Sequence, residues 1–179
     1  MQYWTELYLE LANKIKDNLT QIEWVDLWHE QVSYLTSELP FPTPAVFISF
    51  NMLNADDKGM KGQLCNTQID FYLFYETFSD TALGSINQDS ALDFLKQLTK
   101  IHKLFHATSG TNYFSMRRVD MKREESGGAG NMYRISFQCD VDDMSAMPDI
   151  TEQEVSEINL LRGNISIEQQ NQMPGYFID

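Results

Sequence analysis

The chain has 179 residues and a net charge of −13, from 26 acidic and 13 basic side chains. Its length allows one domain with a hydrophobic core, and its 42% apolar and 12% aromatic contents exclude disorder throughout. The excess of acid argues against a general nucleic-acid-binding surface, because phosphate binding needs clustered Lys and Arg. No apolar run approaches the roughly 20 residues of a membrane span, and we expect neither a signal peptide nor a membrane partner.

The first third of the chain predicts a helix and two strands. Apolar residues recur every four positions at Leu7, Leu11, Ile15 and Leu19, which predicts a helix over 3–19. A short strand is predicted over 22–28. The prolines in 40–44 predict a stiff loop that leads into a strand over 45–52.

The next stretch predicts a mobile hairpin loop and a central strand. Residues 54–62 are polar and contain glycines, so they predict a flexible loop. Its candidate mobile residues are Asp56, Gly59 and Gly62. A strand is predicted over about 64–78, with Tyr72 and Phe74 on one face and other aromatic rings on the opposite face. Such a strand is either covered on both faces or offers one face to a partner.

The second half predicts one long helix and two strands. Ser90-x-x-Asp93 resembles a capping box and predicts a helix over 90–106. Its predicted apolar seam includes Leu95, Leu98 and Phe105. Strands are predicted over 113–124 and 132–142. The intervening residues 126–131 predict a second mobile loop through Gly127, Gly128 and Gly130.

This order predicts an α+β fold. We expect one mainly antiparallel sheet of four to five strands, with two amphipathic helices on one face. This domain is predicted to span residues 1–143. A C-terminal extension over 144–179 follows, and from Asp143 onward the chain has seven acids and one base.

The sequence predicts no enzyme, because no nucleophile motif or phosphate loop is visible. His102 and His106 have a spacing that can bind zinc, but no further ligand is adjacent. We therefore expect His102 to be packed in the apolar seam of the helix, with no metal or cofactor. Cys65 and Cys139 are predicted to be buried, reduced thiols, as in a cytoplasmic protein. The acids at 140–143 are interpreted as a solvated strand end.

A single cluster of positive charge stands out at Arg117, Arg118, Lys122 and Arg123. Regular alternation predicts that Arg117 and Arg123 share one face of their strand and that the other two share the opposite face. The cations either pair with nearby acids such as Asp120, Glu124 and Glu125, or form an oligomer interface together with Tyr72 and Phe74.

Four segments occur in an order that is similar to a known family. They are Pro-Ala-Val-Phe-Ile-x-Phe at 44–50, Gln-Ile-Asp-Phe-Tyr-Leu-Phe at 68–74, Ala-Leu-Asp-Phe-Leu at 91–95 and Phe-Gln-Cys-Asp-Val-Asp at 137–142. Residues 5–143 resemble the tail terminator and neck proteins of tailed bacteriophages, of the type found in Bacteroidetes prophages.

The resemblance implies a small α+β subunit that closes into a ring, usually a hexamer, on the last ring of tail-tube protein. The implied partners are other copies of the chain, the tail-tube protein and a head-completion protein, while DNA only passes through the lumen. The implied location is the host bacterial cytoplasm during assembly and then the virion neck. The alternative is a non-phage acidic module that binds or inhibits another protein. The high acid content and the absence of catalytic motifs fit this alternative equally well.

Overall fold

The computed structural model describes residues 3–34, 41–76, 80–126 and 130–147. By contacts the chain divides into one unit over Met1–Met147 and another over Pro148–Asp179, and the latter lies outside the described residues. The described helices are α1 (Tyr3–Asn18), a 3-10 turn (Gln31–Tyr34), α2 (Gln88–Ala91) and α3 (Asp93–Phe105). The strands are β1 (Trp24–Leu27), β2 (Ala45–Gly59), β3 (Gly62–Tyr75), β4 (Phe114–Glu124) and β5 (Asn131–Asp143).

The five strands form one sheet in the order β1-β2-β3-β5-β4. Only β1 is parallel to its neighbour, and the other three pairings are antiparallel. This confirms the predicted α+β class and the mainly antiparallel sheet. Among the described residues, β1 and β4 are therefore the two edges.

Both long helices pack on the same face of the sheet, as their single apolar stripes predict. Leu7, Leu11 and Ile15 of α1 are buried in one cluster with Phe105 of α3 and Phe71 of β3. The rings of Phe71 and Phe105 stack with centroids 4.5 Å apart. This face, the helix face, holds the main core.

The opposite face, here called the open face, is covered at one end by the chain itself. Phe47 and Phe74 are buried there in a smaller cluster, with Phe41 and Trp28 packed against it. Phe41 meets both buried rings edge to face, at 5.0 and 5.8 Å. The sequence left open whether β3 is covered on both faces or offers one face to a partner. At this end of the sheet β3 is covered on both faces.

The loop predicted over 54–62 is instead a paired hairpin in the structure. Strands β2 and β3 stay paired along this stretch, with Asp56 opposite Leu64 and Gly59 opposite Gly62. Only Met60 and Lys61 turn the chain, with φ of 52° and 66°. Two positive φ values make a turn whose twist matches the strands, so even a polar ribbon can pair up to it. The polar composition of this segment indicated exposed residues, but exposed residues can also form a regular strand.

The second predicted mobile loop lies largely outside the described residues, which exclude Gly127 and Gly128. Gly130 is described and has φ of 94°. A Cβ there would lie 2.8 Å from the carbonyl oxygen of Tyr75, so the close passage of the two chains requires glycine.

The predicted helix over 90–106 is divided at Leu92, and the predicted cap is wrong. The N-cap residues of α2 and α3, Asn87 and Leu92, make no side-chain capping hydrogen bond. The buried stripe of α3 contains Phe94 and Leu98, whereas Leu95 is exposed. Phe94 stacks on Tyr133 of β5, so the side of α3 that faces the sheet includes Phe94 and excludes the predicted Leu95.

Candidate functional site

Strand β4 carries the four cations predicted as an interface, but their predicted faces are wrong. The pairing with β5 shifts between Arg118 and Asp120, so Val119 is an extra residue in the strand. Arg117 opposes Gln138 and Lys122 opposes Arg134, which places both on the open face. Beyond the bulge the alternation changes phase, as one inserted residue requires.

The other two cations of β4 lie on the helix face. Arg118 opposes Phe137 and Arg123 opposes Tyr133, both of which pack in or against the main core. The backbone N–H of Arg118 donates to Nδ1 of His106 at 3.1 Å.

Most of the β4 cations are not neutralised by local acids. Lys122 lies 3.2 Å from Glu124, which fits the predicted local pairing. Among the described residues, the Arg117 side chain donates one hydrogen bond, to the side-chain oxygen of Gln138 at 3.4 Å. Within the described part of the chain, Arg117, Arg118 and Arg123 are exposed and form no ion pair. The edge therefore presents positive charge to solvent.

Asp120 and Glu124, two of the three acids expected near those cations, lie beside Arg134, which sequence reasoning missed. Its guanidinium lies 3.1 Å from Glu124, 3.5 Å from Asp120 and 3.6 Å from the buried Asp70. Arg134 was visible only as a polar position in the alternation of β5. The sequence did contain a signal, because Arg134 stands in the middle of a strand predicted to be half-buried. A partly buried charge needs partners of opposite charge.

Tyr72 and Phe74, the two aromatic interface candidates, differ in accessibility. Tyr72 is half-buried, and its ring stacks on Trp28 with centroids 4.4 Å apart. Burial raises the pKa of its hydroxyl, and Asp70 raises it further, while Arg134 lowers it. Phe74 is 3% exposed and offers a partner almost no surface in this conformation.

At the other edge, the segment around β1 is acidic. Glu23 and Glu30 are exposed, and Asp26 is half-buried in the strand itself. Trp24 is 41% exposed beside them. Strand β1 pairs only with β2 among the described residues. The sheet thus has one edge with an acidic, aromatic character and one edge with a basic character.

The two histidines differ in exposure, because His102 is half-buried, as predicted for a packed side chain, and His106 is exposed. His102 and His106 have ring centroids 4.7 Å apart, and no group of three or more potential ligands is found among the described residues. Burial, Arg118 and His106 lower the pKa of His102. Cys65 and Cys139 are free and buried, as predicted, and burial raises the pKa of Cys139 to about 12.

Comparison with known proteins leaves the family open, since no family model and no curated protein matches the sequence. None of the helices in the described ranges is long and apolar enough to cross a membrane.

Proposed function

We propose that the protein is a structural subunit of a tailed-bacteriophage virion, which caps the tail tube as a ring and joins the tail to the head. The observation that supports this most directly is the pair of unlike sheet edges. A closed ring of identical subunits needs two different, complementary patches, because each interface is heterologous. An acidic β1 edge and a basic β4 edge supply such a pair.

The chemistry of the contact follows from the sheet. Adding β4 of one copy beside β1 of the next would continue the sheet from subunit to subunit through main-chain hydrogen bonds. It would bring the unpaired Arg117 close to acidic residues such as Glu23 and Asp26, and residues opposed across strands interact over about 5 Å. Opposite charges would also fix which edge pairs with which.

The same edge carries features that prevent indiscriminate pairing. A bulge at Val119 and several charged side chains are devices by which sheet edges avoid aggregation. We therefore expect the isolated protein to be monomeric at low concentration. The ring, a hexamer by resemblance, would form when tail-tube protein templates it, and a head-completion protein would dock on its outer end. An acidic lumen would let DNA pass without holding its phosphates.

Charge reversal at both edges tests the proposal. The β4 variant is Arg117→Glu with Lys122→Glu, and the β1 variant is Glu23→Lys with Asp26→Lys. Each variant alone should fail to cap tubes of the cognate tail-tube protein, as seen by electron microscopy at low salt. The chain that combines both variants should cap again, because the charges are exchanged and complementarity is restored.

A matched control uses the helix face of the same strand. Arg118→Glu with Arg123→Glu changes net charge by the same amount as the β4 variant, and we expect a smaller loss of capping. Equal loss in both variants, with no recovery in the combined chain, would remove the edge contact. A wild-type protein that never caps a tube would overturn the phage proposal itself.

The second candidate is an acidic module that acts by binding another protein as a monomer. The carboxylates gathered around Arg134 favour it, because Asp70, Asp120 and Glu124 outnumber the cations they meet. A protein that stays monomeric with tube protein present, yet captures a basic partner stoichiometrically, would support this candidate.

A further inference from the structure

A cleft on the open face lies between the residue that follows β1 and the end of β4, and it has a distinct chemistry. It has a volume of about 420 Å³ and is lined by Trp28, Tyr72, Met132, Glu124 and Glu125. This volume falls within the range of about 300–1,000 Å³ that is usual for ligand sites. We call it the Trp28 cleft.

The wall of the cleft is aromatic. Trp28 and Tyr72 stack within 10° of parallel, and Trp28 also meets the buried Phe47 at 5.8 Å. Both stacked rings remain half-buried, so part of their surface still meets solvent. The face of an indole attracts cations through its electron distribution, most strongly where water is partly excluded.

The rim of the cleft is acidic. Glu124 contacts Lys122 and Arg134 at 3.2 and 3.1 Å, so its charge is shared with two cations of this chain. Glu125 is exposed and forms no ion pair with any described residue. An aromatic wall beside an unpaired carboxylate matches a group that is both planar and positively charged.

We propose that the Trp28 cleft binds an arginine side chain presented by a basic segment of a partner protein. The guanidinium would lie against the indole of Trp28 and donate to the carboxylate of Glu125. Arginine is favoured over lysine because its planar group both stacks on aromatic rings and donates two parallel hydrogen bonds to a carboxylate. This proposal does not depend on ring formation, since the four residues whose charge is reversed there, Arg117, Lys122, Glu23 and Asp26, do not line the cleft.

The experiment uses the full chain and a short capped peptide with one central arginine between glycines. Two-dimensional NMR of the indole N–H groups separates the three tryptophans, and Trp28→Phe assigns the signal of Trp28. The peptide should shift that signal saturably, and the same peptide with citrulline should not. Glu125→Gln should weaken binding about tenfold, because a charged hydrogen bond is lost.

A matched control separates site binding from attraction to an acidic protein. Glu6→Gln removes one exposed carboxylate from α1, on the opposite face of the sheet, and should leave the affinity within about twofold. Binding that weakens equally in Glu6→Gln and Glu125→Gln would overturn the proposal. Equal binding of the citrulline peptide, a stronger response to a lysine peptide, or no shift at Trp28 would also overturn it.

Discussion

The carboxylate of Glu10 joins helix α1 by hydrogen bonds to the loop that leads into β4. Its removal tests how much these bonds contribute to the stability of the fold. Its Oε1 accepts from the backbone N–H of Thr111 at 2.8 Å. Its Oε2 accepts from the backbone and side-chain N–H groups of Asn112 at 2.9 and 2.8 Å. Gly110 lies so close that a Cβ there would overlap the carboxylate.

The expected loss on Glu10→Ala is about 2 kcal/mol in the free energy of unfolding. Thr111 is exposed, so water can replace its bond at little cost. Asn112 is half-buried, and each of its two bonds to a charged acceptor contributes about 1 kcal/mol. In a chain of this size that corresponds to a fall in Tm of about 4–8 °C.

Urea denaturation followed by circular dichroism measures the loss, with Glu6→Ala as the matched control. Glu6 is exposed on the same helix, and its replacement should cost less than about 1 kcal/mol through the helix dipole. Glu10→Gln keeps the side-chain length but places an amide NH2 against N–H groups that need an acceptor. We therefore expect an intermediate loss in the free energy of unfolding. A Glu10→Ala variant as stable as Glu6→Ala would refute the reasoning.

Three further predictions concern local features. Both buried cysteines should resist a thiol reagent at pH 8 until the protein unfolds, since burial raises the pKa of Cys139 to about 12, and rapid labelling of the native protein would contradict this. Burial, then Arg118, lowers the pKa of His102 below 6.5, so the unfolded chain gains the proton first as pH falls. Stability should therefore decline below about pH 6.5, and less steeply in His102→Gln, as urea titrations at pH 7 and 5 would show. Replacing Met60 and Lys61 by Asn-Gly should stabilise the protein by about 1 kcal/mol, measured as a higher urea midpoint, because both positions have positive φ.

The elements themselves could be predicted from periodicity. Leu7, Leu11 and Ile15 are buried at the four-residue spacing that predicted α1. The alternation of β5 is likewise kept, with Ile135 and Phe137 buried toward the helices. Such patterns depend on the geometry of a single helix or strand, which the local sequence determines. They are therefore the same whichever element lies against it.

The candidate site could be predicted only in part. The basic cluster was found, but its faces were assigned from regular alternation. The extra residue at Val119 instead puts Arg117 on the same face as Lys122. A bulge is defined by the pairing with the partner strand, so the sequence of β4 alone does not reveal it. The same limit applies to the hairpin at Met60, where pairing across two polar strands replaced a predicted loop.

The sequence by itself determined the amphipathic helices, the alternating strands and hence the α+β class, because these follow from how each side chain meets water or the core. Tertiary structure alone decided that Arg134 gathers Asp70, Asp120 and Glu124, and that Trp28 stacks on Tyr72. Those contacts join residues of different strands and loops. Their formation depends on strand order and register, which are set by the sum of many non-local pairings.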